Sequence, residues 1–106
     1  MSAQKQYSLR YLPLFWDDMA SAVLYLTGEL KNPDAADRLI DKVEEGILKY
    51  VEHPEMAPIY RTAKEREHPY HWFAVGNYMV FYVVVGDVME VRRLVYGARD
   101  LTKVLP

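Results

Sequence analysis

The chain has 106 residues, 51% of them apolar and 26% charged, with no cysteine and a net charge of −2. This length supports one modest core, and residues 1–106 are expected to form a single domain whose composition is that of a folding chain rather than a disordered one. The lack of cysteine excludes a disulfide framework and a thiolate metal site, so a reducing compartment is compatible and the cytoplasm is the default. Met1–Tyr7 has no apolar signal-peptide core, and no segment approaches the roughly 18 uninterrupted apolar residues of a membrane span, so neither export nor a membrane partner is expected. The charge balance argues against a surface built throughout to attract nucleic acid. Its distribution is uneven: residues 1–60 hold six Lys/Arg against ten Asp/Glu, and residues 61–106 hold seven against five, giving −4 and +2.

Tyr7–Leu12 (YSLRYL) is rich in aromatic and aliphatic residues and stops at Pro13, which predicts a first strand ended by a residue that cannot donate to a ladder. From Phe15, the residues Phe15, Met19, Ala22, Val23, Leu26 and Leu30 follow helical spacing, with Asp17 and Asp18 read as first-turn acids favoured by the helix dipole. Asn32-Pro33-Asp34 then restarts a helix: Asn caps, and Pro takes the first helical position, where its missing N–H costs nothing. The second stripe is Ala36, Leu39, Ile40, Val43, Ile47 and Tyr50 or Val51, and the short join predicts an antiparallel helix hairpin. Gly46 weakens this helix by about 1 kcal/mol relative to Ala unless a neighbour packs where a side chain would be.

His53-Pro54 ends the second helix, and Pro58 and Pro69 bracket a polar stretch, Tyr60–His68, that shows no period and reads as a loop. Three apolar runs follow, Tyr70–Val75, Tyr78–Val85 and Val88–Tyr96, separated by Gly76-Asn77 and Gly86-Asp87. Such pairs between β-rich runs predict tight hairpins and a three-stranded antiparallel meander. The middle run, YMVFYVVV, is apolar throughout and should be the central strand.

Several local patterns then fall in a telling order. They are Tyr25-Leu26 in the first helix, Asn32-Pro33-Asp34-Ala35-Ala36 at the second helix start, Val75-Gly76-Asn77-Tyr78 with Phe81-Tyr82 around the first hairpin, and Arg93-Leu94-Val95-Tyr96-Gly97-Ala98-Arg99-Asp100-Leu101 at the end. In this order and spacing, from about Tyr7 to Leu105, the chain resembles the RelE/ParE toxins of bacterial type II toxin–antitoxin (plasmid stabilisation) systems. The resemblance implies an α+β fold: an N-terminal strand, a helix hairpin and a meander packed on the helices. It also implies a small toxin bound and neutralised by a cognate antitoxin, acting on DNA gyrase or on messenger RNA at the ribosome. Assembly with the antitoxin or pairing of two copies is left open.

Counting outward from two-residue hairpins gives two faces of the meander. Val75, Tyr78, Val80, Tyr82, Val84, Met89, Val91, Arg93 and Val95 fall with His71 and Phe73 on the face assigned to the helices. Tyr70, Trp72, Ala74, Met79, Phe81, Val83, Glu90, Arg92, Leu94 and Tyr96 fall on the open face. A bulge near Arg92-Arg93 would exchange sides. Ribonuclease members of the family display arginines and ionisable groups on the open face, as cleavage by the RNA's own 2′-hydroxyl requires. Here the positions flanking the first hairpin hold Trp72, Ala74 and Met79, which argues against a ribosome-dependent endoribonuclease, and whether the chain is an enzyme stays open.

Tyr96 and Arg92 are the candidate catalytic pair, as acid–base group and charge stabiliser. Arg61, Lys64, Arg66, Arg93 and Arg99 are candidates for target or phosphate binding. Trp72, Met79 and Phe81 form a candidate partner-binding patch, or else a second small core closed by the C-terminal tail. Arg92 beside Glu90 also reads as a solvated ion pair worth little. His53, His68 and His71 lack a metal-ligand spacing, and no phosphate loop, nucleophile elbow or zinc motif occurs, so neither metal nor cofactor is expected. The rival readings are a non-toxic interaction domain of the same fold and direct nucleic-acid binding, the latter weakly supported by a +2 balance.

Overall fold

The computed structural model describes residues 6–61, 66–97 and Leu105. The first strand, β1 (Ser8–Tyr11), leads through Leu12 into helix α1 (Pro13–Leu24), with Pro13 in the first turn. The helix thus starts two residues before the expected Phe15, and Asp17 and Asp18 lie beyond its first turn, which holds no acid. That is a correction, and the carboxylate of Asp18 has a different use, described below. The end of α1 widens into a π turn, Tyr25–Glu29, closed by Leu30 N–H donating to the Tyr25 carbonyl at 3.1 Å. A wider turn advances the face by less than the 100° per residue of an α-helix. Phe15 and Ala22 are therefore buried, whereas Leu30, expected in the same stripe, is half exposed.

Lys31 takes a positive φ of 51°, after which Asn32 caps helix α2 (Pro33–Val51) by accepting from Ala35 N–H at 3.1 Å. The buried stripe is Ala36, Leu39, Val43 and Ile47; Ile40 faces solvent at 38% exposure. Gly46 has the close neighbour that justifies it. A Cβ there would stand 2.3 Å from the Phe73 ring, which stacks on Tyr50 with centroids 5.1 Å apart.

A short strand not expected from the sequence, β2 (Ile59–Tyr60), runs into the start of the stretch read as a loop. It pairs antiparallel with β3 (Tyr70–Val75), and β4 (Tyr78–Val85) and β5 (Val88–Tyr96) complete the expected meander. Gly76 and Gly86 adopt φ of 58° and 61° at the first central position of each hairpin, where glycine tolerates what other residues do not. β1 joins the other side of the meander, running parallel to β5 with Arg10 opposite Glu90. The sheet therefore has five strands in the order β1-β5-β4-β3-β2, with the expected N-terminal strand and meander joined by the additional β2.

The main core lies between the helices and one sheet face, with Phe15, Leu39, Val43, Ile47, Val80, Tyr82, Met89 and Val91 at its centre. A second cluster occupies the opposite face: Tyr70, Phe81, Val83, Val95 and Leu105 are buried, with Tyr60, Trp72, Met79 and Val85 packed around them. No described helix is long and apolar enough to cross a membrane.

Candidate functional site

The feature that places the site residues is a bulge in β5. Tyr82 stands opposite Val91 but Phe81 stands opposite Arg93, so Arg92 is an extra residue with no partner position on β4. Every residue beyond it moves to the other side of the sheet. Leu94 joins the helix-side core and Val95 the second cluster, the reverse of the face assignment made from two-residue hairpins alone. Tyr96, opposite Tyr78, also turns to the helix side, where the two rings meet edge to face at 5.1 Å.

The two bulge arginines go to different partners. Arg92 stays on the open face, its Nε donating to Glu90 at 2.6 Å and its Nη1 to the Tyr70 hydroxyl at 3.3 Å, with the guanidinium 5.6 Å from the Tyr70 ring centre. Glu90 also accepts from Arg10 Nε at 2.6 Å. Glu90 is only 5% exposed, so this is no solvated pair: a buried carboxylate needs such partners. Burial pushes its pKa up, but the hydrogen bonds from Arg92 and Arg10 outweigh that and hold it below the ordinary glutamate range. For Arg92, burial opposes the charge, and Tyr70 and Glu90 more than restore it.

Arg93 reaches α1 instead. Its Nε and Nη2 donate to the two oxygens of Asp18 at 2.7 and 2.9 Å, and this pairing strengthens its charge. Asp18 accepts a third bond, from Leu94 N–H at 3.0 Å. Beyond them opens a cleft of about 390 Å³, lined by Tyr25, Tyr78, Leu94 and Tyr96 among others.

The other candidates are scattered. Arg61 is exposed next to β2, and Arg66 lies over the Tyr70 ring at 4.9 Å from its centre. Lys64 and Arg99 lie outside the described residues. Trp72 and Met79 are half-buried and Phe81 is fully buried, its ring edge-on to Tyr60 and Tyr70. These three belong to the second small core, and Leu105 from the C-terminal tail is buried in it. Phe81 itself is thus not at the surface. Arg10, Tyr70 and Asp18 went unremarked as site residues; only the parallel pairing of β1 with β5, which sets Arg10 against Glu90, would have exposed the first.

The arrangement separates the groups that phosphate chemistry would need together. Arg92 is committed to Glu90 and Tyr70 on one face, and Tyr96 stands on the other. Among the described residues no cluster of three or more His, Asp or Glu side chains suits a metal ion. This construction of strand, helix pair and bulged meander has counterparts. The sequence profile of the family described as "ParE toxin of type II toxin-antitoxin system, parDE" matches residues 9–101.

The chain belongs to the ParE toxin family.

One solved structure with the same fold, described as "Chromosomal ParDE TA system from P. aeruginosa", aligns with a TM-score of 0.68 at 13% identity. The alignment covers 89% of this chain and 99% of that one. No curated protein sequence matches. As a ParE-family toxin component of a type II system, the chain combines a helix-backed sheet with a second face on which Arg10 and Arg92 are tied to Glu90. The divergence in sequence leaves the fold as what the two structures share.

Proposed function

We propose that this ParE-family toxin acts on a protein target, DNA gyrase, rather than by cutting messenger RNA, and that an antitoxin segment folding over its surface holds it inactive. The observation that carries this reading is the separation of Arg92 from Tyr96 across the sheet. A ribonuclease needs a charge stabiliser and an acid–base group within reach of one phosphate. Here the first is engaged by a buried carboxylate and the second lies behind the strand. Inhibition of a protein requires no such assembly, only a shaped surface, and the cleft between α1 and the end of β5 supplies apolar and aromatic area at the rim.

The test is to induce the chain with and without the product of the neighbouring small reading frame, then assay purified toxin against gyrase supercoiling and against ribosomes translating a defined message. Growth arrest relieved by co-expression, inhibited supercoiling and intact messages are expected. Clean message cuts that vanish in an Arg92→Ala, Tyr96→Phe variant would replace the gyrase reading with ribosome-dependent cleavage. Harmless expression would favour a non-toxic interaction domain.

A further inference from the structure

The two sides of the sheet end differently. On the β5 side, past the end of β1, the first outward N–H, that of Leu94, is already held by Asp18, an inward-pointing charge of the kind that keeps a strand edge from recruiting another. On the β3 side no described residue supplies such a device. The hairpin pairs Val75 with Tyr78 and Phe73 with Val80, so these residues turn their backbone groups toward β4, and Trp72 and Ala74 turn theirs outward. Trp72 N–H donates to the Pro58 carbonyl at 3.0 Å. The return bond is impossible, because the residue opposite the Trp72 carbonyl is a proline, which has no N–H. β2 ends there, and among the described residues the Trp72 carbonyl with the N–H and carbonyl of Ala74 forms an open edge of three groups.

Beside this edge runs a groove of about 740 Å³ between β3 and α2. Phe73 and Tyr50 line it, and the Phe73 ring, seated against the bare backbone of Gly46, closes its floor. Lys42 and Lys49 line it too, against one carboxylate, Glu45, which lies 3.5 Å from Lys42. We infer that the free edge of β3 is a strand-addition site, and that its occupant is an extended antitoxin segment carrying an apolar side chain for the Gly46–Phe73 floor and an acidic one for the lysines. The edge states the backbone conformation it accepts, since only an extended chain presents N–H, C=O and N–H at the spacing of Trp72 and Ala74. The excess positive charge at the groove states the sign of the side chain.

This inference rests on the antitoxin reading above. The experiment is amide hydrogen exchange on the toxin alone and on the complex co-purified with the product of the neighbouring small reading frame. The Ala74 amide is expected to exchange rapidly in free toxin and at least tenfold more slowly in the complex, while Phe73 and Val75 are protected in both. A stable complex in which Ala74 exchanges as fast as before overturns strand addition and leaves the antitoxin reading standing; failure to form any complex overturns both. As a second line, Ala74→Pro removes an N–H that no described residue uses, so the free toxin should keep its melting temperature within a few degrees while its affinity for the partner falls at least tenfold. Lys42→Glu with Lys49→Glu should weaken the complex several-fold and reduce its salt dependence. An unchanged affinity in both variants counts against the site.

Discussion

Asp18 binds Arg93 through both carboxylate oxygens and at the same time caps the backbone of Leu94, tying helix α1 to the strand immediately after its bulge. Both side chains are more than four-fifths buried. Removing one partner therefore leaves a poorly hydrated charge, which costs more than a surface pair is worth. Asp18→Ala loses the ion pair and the cap together and is expected to cost about 3 kcal/mol, and Arg93→Ala about 2 kcal/mol. A double-mutant cycle by urea unfolding should return a coupling of at least about 1 kcal/mol. Additive losses would mean that the two side chains do not stabilise each other.

At Gly46 two physical effects oppose each other. Alanine favours the helix by about 1 kcal/mol, as an exposed glycine substitution would show. Its Cβ, however, would stand 2.3 Å from a ring carbon of Phe73, and that ring is stacked on Tyr50 and only 7% exposed. Overpacking of this kind costs about 1–3 kcal/mol, so Gly46→Ala should lower stability by about 1 kcal/mol net. Thermal unfolding checks the sign. The companion Gly46→Ala, Phe73→Leu protein should recover part of the helix gain relative to Phe73→Leu alone.

Much of this architecture was legible because it rests on local signals. The two Gly-centred hairpins, the Asn32 cap and the buried stripe of α2 each follow from a few adjacent residues, and Gly46 announced a close neighbour without naming it. What escaped notice depends on pairing between distant segments. β2 has two residues between prolines, too few to show a period. The Arg92-Arg93 region admits a bulge, as the sequence suggests, but does not reveal one, because apolar residues occupy both faces of the run, and the bulge at Arg92 decides the sides of Leu94, Val95 and Tyr96. Asp18 looked like a dipole-complementing acid because its partner lies 75 residues away. Likewise, Glu90 looked solvated because neither Arg10 nor the second core is visible from β5.

Glu90 predicts how the fold responds to acid. Its pKa is below the ordinary value of 4.5 in the folded chain, since the Arg92 and Arg10 hydrogen bonds outweigh the cost of burial. The unfolded chain therefore binds the proton at higher pH than the folded one does. The stabilisation is complete above the unfolded value and is lost as pH falls past it through the lower folded value. Between about pH 5 and pH 3, the wild-type chain should lose stability more steeply than Glu90→Gln, whose side chain does not titrate. At pH 7 the substitution should cost about 2 kcal/mol, because two charge-assisted hydrogen bonds become neutral-acceptor bonds. Parallel slopes for the two proteins in pH-dependent urea unfolding would remove Glu90 from the account.

The second core divides residues that the sequence grouped together. Phe81 is fully enclosed, with Tyr60 and Tyr70 edge-on to its ring and Leu105 in the same cluster. Truncation there loses the transfer energy of a ring and leaves a cavity, so Phe81→Ala is expected to destabilise the chain by about 3–4 kcal/mol. Trp72 is only half-buried and sits on β3 beside the groove, where β2 ends. The loss for Trp72→Ala should therefore be about 1–2 kcal/mol, set by the part of the ring already covered. Partner affinity should show the opposite ranking: Trp72→Ala weakens the antitoxin complex at least tenfold, whereas any effect of Phe81→Ala tracks its loss of folded protein. Titration of each folded variant with the co-expressed partner, at a temperature where both are native by circular dichroism, separates the two. A Trp72→Ala chain that binds like wild type would confine this face to a structural role.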